Sequence, residues 1–111
     1  MKQINVPNLK VIGGSFNAIG NKSLSEKDFP SLKTVGGDMH LVMSGFKRLP
    51  NNLNSIKGNI YLSPESPESL KKDCLHKKET GIIKGEIYFV GGSINKNEKG
   101  EVVYGEIMPI Q

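Results

Sequence analysis

Residues 29–63 contain the same phrase twice. The first copy reads FPSLKTVGGDMHLVMS and the second LPNNLNSIKGNIYLS. Each opens on an apolar residue and a proline (Phe29-Pro30, Leu49-Pro50). Each then sets a leucine (Leu32, Leu53), a β-branched residue three later (Val35, Ile56) and a glycine two after that (Gly37, Gly58). An alternating stretch follows, Met39 and Leu41 in one copy, Ile60 and Leu62 in the other. A third copy stands upstream in VPNLKVIGGSFNA, with Pro7, Leu9, Ile12, Gly14, Phe16 and Ala18 in the same places. Gly14 to Gly37 is 23 residues, and Gly37 to Gly58 is 21. A strand of four or five residues cannot bury an apolar face alone. A chain built on this unit must therefore cover each copy with the next and share one core along the stack.

Between the copies the chain is polar and turn-rich, too short for long helices. Ser25-Glu26-Lys27-Asp28 fits one helical turn capped by Ser25. After Ser63 the pattern lapses. The spacing predicts a short helix over 67–76, with Pro67 at its start and Leu70, Cys74 and Leu75 on one apolar face. His76-Lys77-Lys78-Glu79-Thr80 is its solvated exit, stopped by Gly81. The phase returns at Gly85, 27 residues beyond Gly58, and more weakly at Gly105, 20 further on. Two readings stand for this end. Residues 82–108 continue the parallel stack, or residues 86–90 and 101–108 pair as an antiparallel hairpin cap, with Asn95, Asn97 and Gly100 as turn residues of the loop GGSINKNEKG.

Length suffices for one domain and one modest aliphatic core. The expected division is repeats near 6–28, 29–48 and 49–63, an insert over 64–81 and a C-terminal β part over 82–108. Lys and Arg number 15 against 11 Asp and Glu, a net charge of +4. That is mildly basic, but no Arg-rich run or aromatic-interleaved basic patch accompanies it, so nucleic acid is a weak expectation. The single cysteine, Cys74, excludes an intrachain disulfide. It reads as a half-buried structural thiol, since His76 nearby completes no nucleophile motif. No apolar run approaches the about 18 residues of a membrane span, and MKQIN is too short and polar for a signal peptide. The expected setting is cytoplasmic, the host cytoplasm if the chain is viral.

These residues resemble the degenerate leucine-rich repeats of bacterial and phage proteins and the β-solenoids of receptor L-type domains. The resemblance is close over about residues 5–63 and loose over 82–108. Glycine stands where the standard repeat has the asparagine or cysteine of its turn. The intervals fall within the repeat's period of about 20–29 residues. The fold expected is mainly β: a short leucine-rich-repeat-like solenoid with a parallel sheet through 15–18, 38–42 and 59–62, one short helix and a C-terminal β cap or hairpin. The resemblance implies binding, usually of protein, and supplies no catalytic residues.

The sequence itself offers no enzyme constellation. Gly13-Gly14 and Gly91-Gly92 open no phosphate-binding loop, and His40 and His76 have no spaced partners for zinc. Asp38 and His40, neighbours on one strand, read as solvent-facing residues before they read as an acid–base pair. No cofactor or metal is expected. Period two sends Phe16, Met39, Ile60, Ile87 and Ile107 inward, with Ala18, Leu41, Leu62 and Phe89. It leaves two outward rows: Ser15, Asp38, Asn59, Glu86, Glu106, and Asn17, His40, Tyr61, Tyr88, Met108. Asp38, His40, Asn59, Tyr61, Glu86 and Tyr88 are therefore the expected binding face, an open surface of tyrosines beside carboxylates. A cross-strand ladder that only stabilises the sheet is the alternative. The function expected is a non-enzymatic protein-binding module, with a small phage-type inhibitor of a host protein as one form. The rivals are an assembly subunit that self-associates through an open sheet edge, and a weak nucleic-acid binder.

Overall fold

The structure, a computed structural model, describes residues 8–110. The Val6-Pro7 opening of the upstream copy and the MKQIN segment lie outside the described residues. In chain order the elements are β1 (Val11–Ile12), β2 (Phe16–Asn17), a 3-10 turn (Glu26–Asp28), β3 (Thr34–Val35), β4 (Met39–His40), β5 (Ser55–Ile56), β6 (Ile60–Leu62), the helix α1 (Glu68–Glu79), β7 (Ile87–Lys96) and β8 (Val102–Pro109). They form a small, strand-rich mixed α/β arrangement of two sheets and one helix.

Each copy of the repeat supplies one strand to each sheet, and its glycine makes the corner between them. The first sheet runs β1-β3-β5 in parallel, with an isolated parallel bridge from Ile56 to Ile83 extending it. The second runs β2-β4-β6-β7-β8, parallel as far as β7. Register follows the phase read from the sequence: Phe16 pairs with Met39, Met39 with Ile60, and Ile60 with Ile87. Leu32, Val35, Leu41, Leu53, Ile56, Ile60 and Leu62 all lie in the core. At one end of that core Phe16 meets Phe29 edge-on, with centroids 5.0 Å apart, and Phe46 at 5.7 Å. At Gly37, Gly58 and Gly85 the corners stack too closely for a side chain to enter. A methyl built on Gly58 would collide with Asp38 Oδ1 and lie 2.7 Å from the Gly37 carbonyl.

The turn at residues 26–28 forms as expected. Ser25 caps it, and the Asp28 carboxylate accepts from the Ser25 backbone N–H at 3.0 Å. The helix is longer than the expected 67–76. Pro67, with φ −57°, is its N-cap, and the helix continues to Glu79 before Gly81 turns the chain at φ +84°. His76, Lys77 and Lys78 in the last turn complement the helix dipole, which is why the polar run extends the helix rather than ending it. Leu70 and Cys74 are buried and Leu75 packs against the core. Asp73 ties the helix to the copy that opens at Leu49 by accepting from its backbone N–H at 2.8 Å, and it also accepts from Lys77 Nζ, one turn along the helix, at 2.8 Å.

Both readings of the C-terminal part occur in sequence. Ile87–Phe89 continues the parallel stack, and β8 then returns antiparallel to β7. A bulge interrupts this hairpin. Gly91 pairs with Glu106 and Ile94 with Tyr104, so Gly92 and Ser93 oppose Gly105 alone, with Gly92 at φ +69°. This corrects two expected rows. Pro109, not Met108, stands opposite Tyr88, and Glu106 stands opposite Gly91. Ile107, expected inward, is 46% exposed because it pairs with Val90, two residues from Tyr88 and so on the same outward face. Among the described residues no helix is long and apolar enough to cross a membrane.

Candidate functional site

Three corner glycines, Gly14, Gly37 and Gly58, are each followed by a short acceptor side chain, and these side chains build a ladder. Ser15 Oγ accepts from the Asp38 backbone N–H at 3.0 Å. Asp38 Oδ1 accepts from that of Asn59 at 2.7 Å, and Asn59 Oδ1 from that of Glu86 at 2.9 Å. Each copy thus satisfies a main-chain donor of the next. The row read as outward-facing polar residues is therefore partly a structural device, since peptide N–H groups at a stacked corner need partners. Glu86 ends the ladder. Its side chain is 62% exposed and meets Lys78 Nζ at 3.4 Å, a surface pair of little energetic weight.

The second row carries the rings. Asn17, His40, Tyr61 and Tyr88 are in register across β2, β4, β6 and β7. His40 stacks on Tyr61 with centroids 4.9 Å apart and planes 6° apart, and Tyr61 on Tyr88 at 5.6 Å and 19°. Asn59 Nδ2 donates to the Tyr61 hydroxyl at 3.2 Å. Expected as an open surface, this row is partly roofed. The outer half of the hairpin carries Tyr104 onto it, 4.9 Å from Tyr61 and 5.6 Å from His40, with the Tyr104 hydroxyl hydrogen-bonded to His40 Nδ1. His40 is left only 7% exposed. Tyr104 was missing from the expected site. The turn residues Asn97 and Gly100 were its signal, because they bring β8 back over the sheet.

Burial lowers the His40 pKa, against an opposing pull from Asp38. Burial also raises the Tyr104 pKa, helped by Tyr61 and Asp38. Near neutral pH a neutral imidazole and a neutral phenol therefore share the hydrogen bond.

Between this roof and the sheet lies a cleft of about 580 Å³. Ser15, Asn17, Asp38, His40 and Tyr61 line it from the sheet, and Asn97, Gly100–Tyr104 and Ile107 from the hairpin. Of the six expected site residues, Asp38, His40 and Tyr61 line the cleft. Asn59 braces Tyr61, Tyr88 backs the stack, and Glu86 lies outside it. A second, basic cleft of about 370 Å³ lies along α1, lined by Arg48, Asn51, Ser69, Lys72, Asp73, His76 and Lys77. Cys74 is fully buried, and its pKa is pushed up to about 12 by burial and then by Asp73, so it carries no thiolate at neutral pH. Among the described residues no group of three or more His, Cys, Asp or Glu is placed to hold a metal. The chain matches no protein-family model, no curated protein and no solved structure.

Proposed function

We propose that the chain is a non-enzymatic protein-binding module, built as a degenerate leucine-rich-repeat-like solenoid, that engages its partner across the outer face of the larger sheet. One observation carries this reading. Val103 and Ile107 on β8 are 48% and 46% exposed, and both rim a cleft walled by His40, Tyr61 and Tyr104. Aromatic and aliphatic side chains collected around one open cleft suit a binding interface, and a chain with so lean a core has few apolar residues to leave outside it. Small size and repeat style favour an inhibitor of a host protein, of the phage type, as the form this module takes.

The test is capture of a partner from host-cell lysate, identified by mass spectrometry, with Val103→Ser plus Ile107→Ser as the variant. Both positions are exposed, so the fold should persist while capture is lost. Undiminished capture by the folded variant would refute this placement. Tyr61 is a poorer choice, since it is stacked on both faces and braced by Asn59. The basic cleft on α1 favours nucleic acid as the second reading, and steep loss of RNA or DNA binding with rising salt would reveal it.

A further inference from the structure

We infer that the cleft beneath the hairpin seats a cationic side chain, a guanidinium or an ammonium, presented by the protein that binds the outer face; this deepens the protein-binding reading and rests on it. The charge distribution is the first argument. On a chain of net charge +4, the charged side chains lining this cleft are Asp38 and Glu101, and no lysine or arginine lines it. The basic side chains gather elsewhere, as along α1.

The second argument is how the two acids are held. Asp38 commits Oδ1 to the Asn59 backbone N–H, and Glu101 commits Oε1 to Asn97 Nδ2 at 2.9 Å. Each is oriented by one oxygen and keeps the other without a partner among the described residues. Both carboxylates line the same cleft. An anion would be repelled there, and a purely apolar ligand would strip water from both carboxylates without replacing it.

The third argument is the wall. Tyr104 supplies ring surface, Tyr61, whose faces are taken by His40 and Tyr88, supplies its edge and phenol oxygen, and buried His40 stays neutral, so the site's negative charge is not cancelled from within. Aromatic rings beside carboxylates suit a weakly hydrated planar cation best, which places arginine ahead of lysine. The volume lies within the usual range of ligand pockets, about 300–1,000 Å³.

The experiment is a heteronuclear NMR titration of the intact chain with three blocked tripeptides, glycine–X–glycine with X as arginine, lysine or citrulline. Citrulline has arginine's shape without its charge. The arginine peptide should give saturable shifts centred on Asp38, His40, Tyr61, Glu101 and Tyr104, the lysine peptide weaker ones at the same residues, and citrulline none. Asp38→Asn plus Glu101→Gln should weaken arginine binding at least tenfold. Both changes keep the structural acceptor oxygen, and the amide of Asn59 already caps the next coil in the way the Asp38→Asn side chain would have to. Glu101→Gln alone, at an exposed hairpin position, should weaken it several-fold and guards against a folding defect in the double variant. Equal binding of citrulline, shifts centred elsewhere, no saturation or an unaffected double variant would each overturn the inference. Partner capture that still depends on Val103 and Ile107 while no peptide binds would remove the cation seat and leave the protein-binding reading standing. Peptide binding at the cleft with capture indifferent to those residues would do the reverse.

Discussion

Replacing the corner glycines one at a time should separate a stacked corner from a free one. Gly14, Gly37, Gly58 and Gly85 occupy the same phase of the repeat, and none has positive φ, so any Cβ penalty is one of space. A methyl at Gly58 would collide with Asp38 Oδ1 and sit 2.7 Å from the carbonyl carbon and oxygen of Gly37. At Gly85 it would collide with the Gly58 oxygen and Asn59 Oδ1, 2.6 Å from the Gly58 carbonyl carbon. At Gly14 it would meet nothing within 4 Å. Backbone cannot rotate aside as a side chain does, so the coils must separate. Overpacking of this kind costs about 1–3 kcal/mol, and losing the Asn59 N–H to Asp38 bond costs about 1 more. Gly58→Ala should therefore destabilise by about 2–4 kcal/mol out of a total of about 5–15 for a chain of this size. Gly14→Ala should be neutral, or stabilise by up to about 1 kcal/mol by stiffening the unfolded chain. Urea melts followed by far-UV circular dichroism measure both. If Gly58→Ala and Gly14→Ala differ by less than about 0.5 kcal/mol, the corners do not stack as described.

Two further outcomes follow from the core and the buried histidine. Leu53→Ala should cost about 2–5 kcal/mol in the same melts, since Leu53 is 3% exposed in the shared core, and a cost under about half a kcal/mol would place it outside. The folded-state pKa of His40 is depressed below the unfolded value of about 6.5, so the unfolded chain takes up the proton first. Stability present above that value should fall as pH drops through it toward the folded pKa. The groups set around the ring are Asp38, Tyr61 and Tyr104. His40→Gln should flatten the slope of the urea midpoint between about pH 7.5 and 5.5, and an unchanged slope would assign the dependence to other groups.

The parallel stack could be read from the chain because three independent markers, leucine, β-branched residue and glycine, recur in fixed order. A one-residue slip would have turned Met39 and Ile60 outward. The C-terminal part could not be resolved, because period-two alternation is the same for parallel and antiparallel strands. The bulge at Gly92-Ser93, which shifts the pairing partway along the hairpin, leaves no periodic trace. Half the candidate site was hidden for the same reason. His40 and Tyr61 came from the repeat register, whereas Tyr104 sits one residue before the weakly phased Gly105 and reaches His40 only through the return of β8. The ladder was in plain view and misread. Ser15, Asp38 and Asn59 each follow a corner glycine with an acceptor oxygen on a short side chain, a regularity that points at a neighbouring backbone rather than at solvent.

The hydrogen bonds of that ladder span 23, 21 and 27 residues, yet each joins the residues that follow successive corner glycines. The molecule therefore counts corners and ignores the length of chain between them. The longest interval contains an entire helix, and the rings of Tyr61 and Tyr88 still come into line across it. Closing a longer loop costs little, about 0.6 kcal/mol per doubling. The return arms are accordingly splice points. New segments introduced there, if they plug the core as Leu70 and Cys74 do, would alter the back of the molecule and leave its ringed face unchanged.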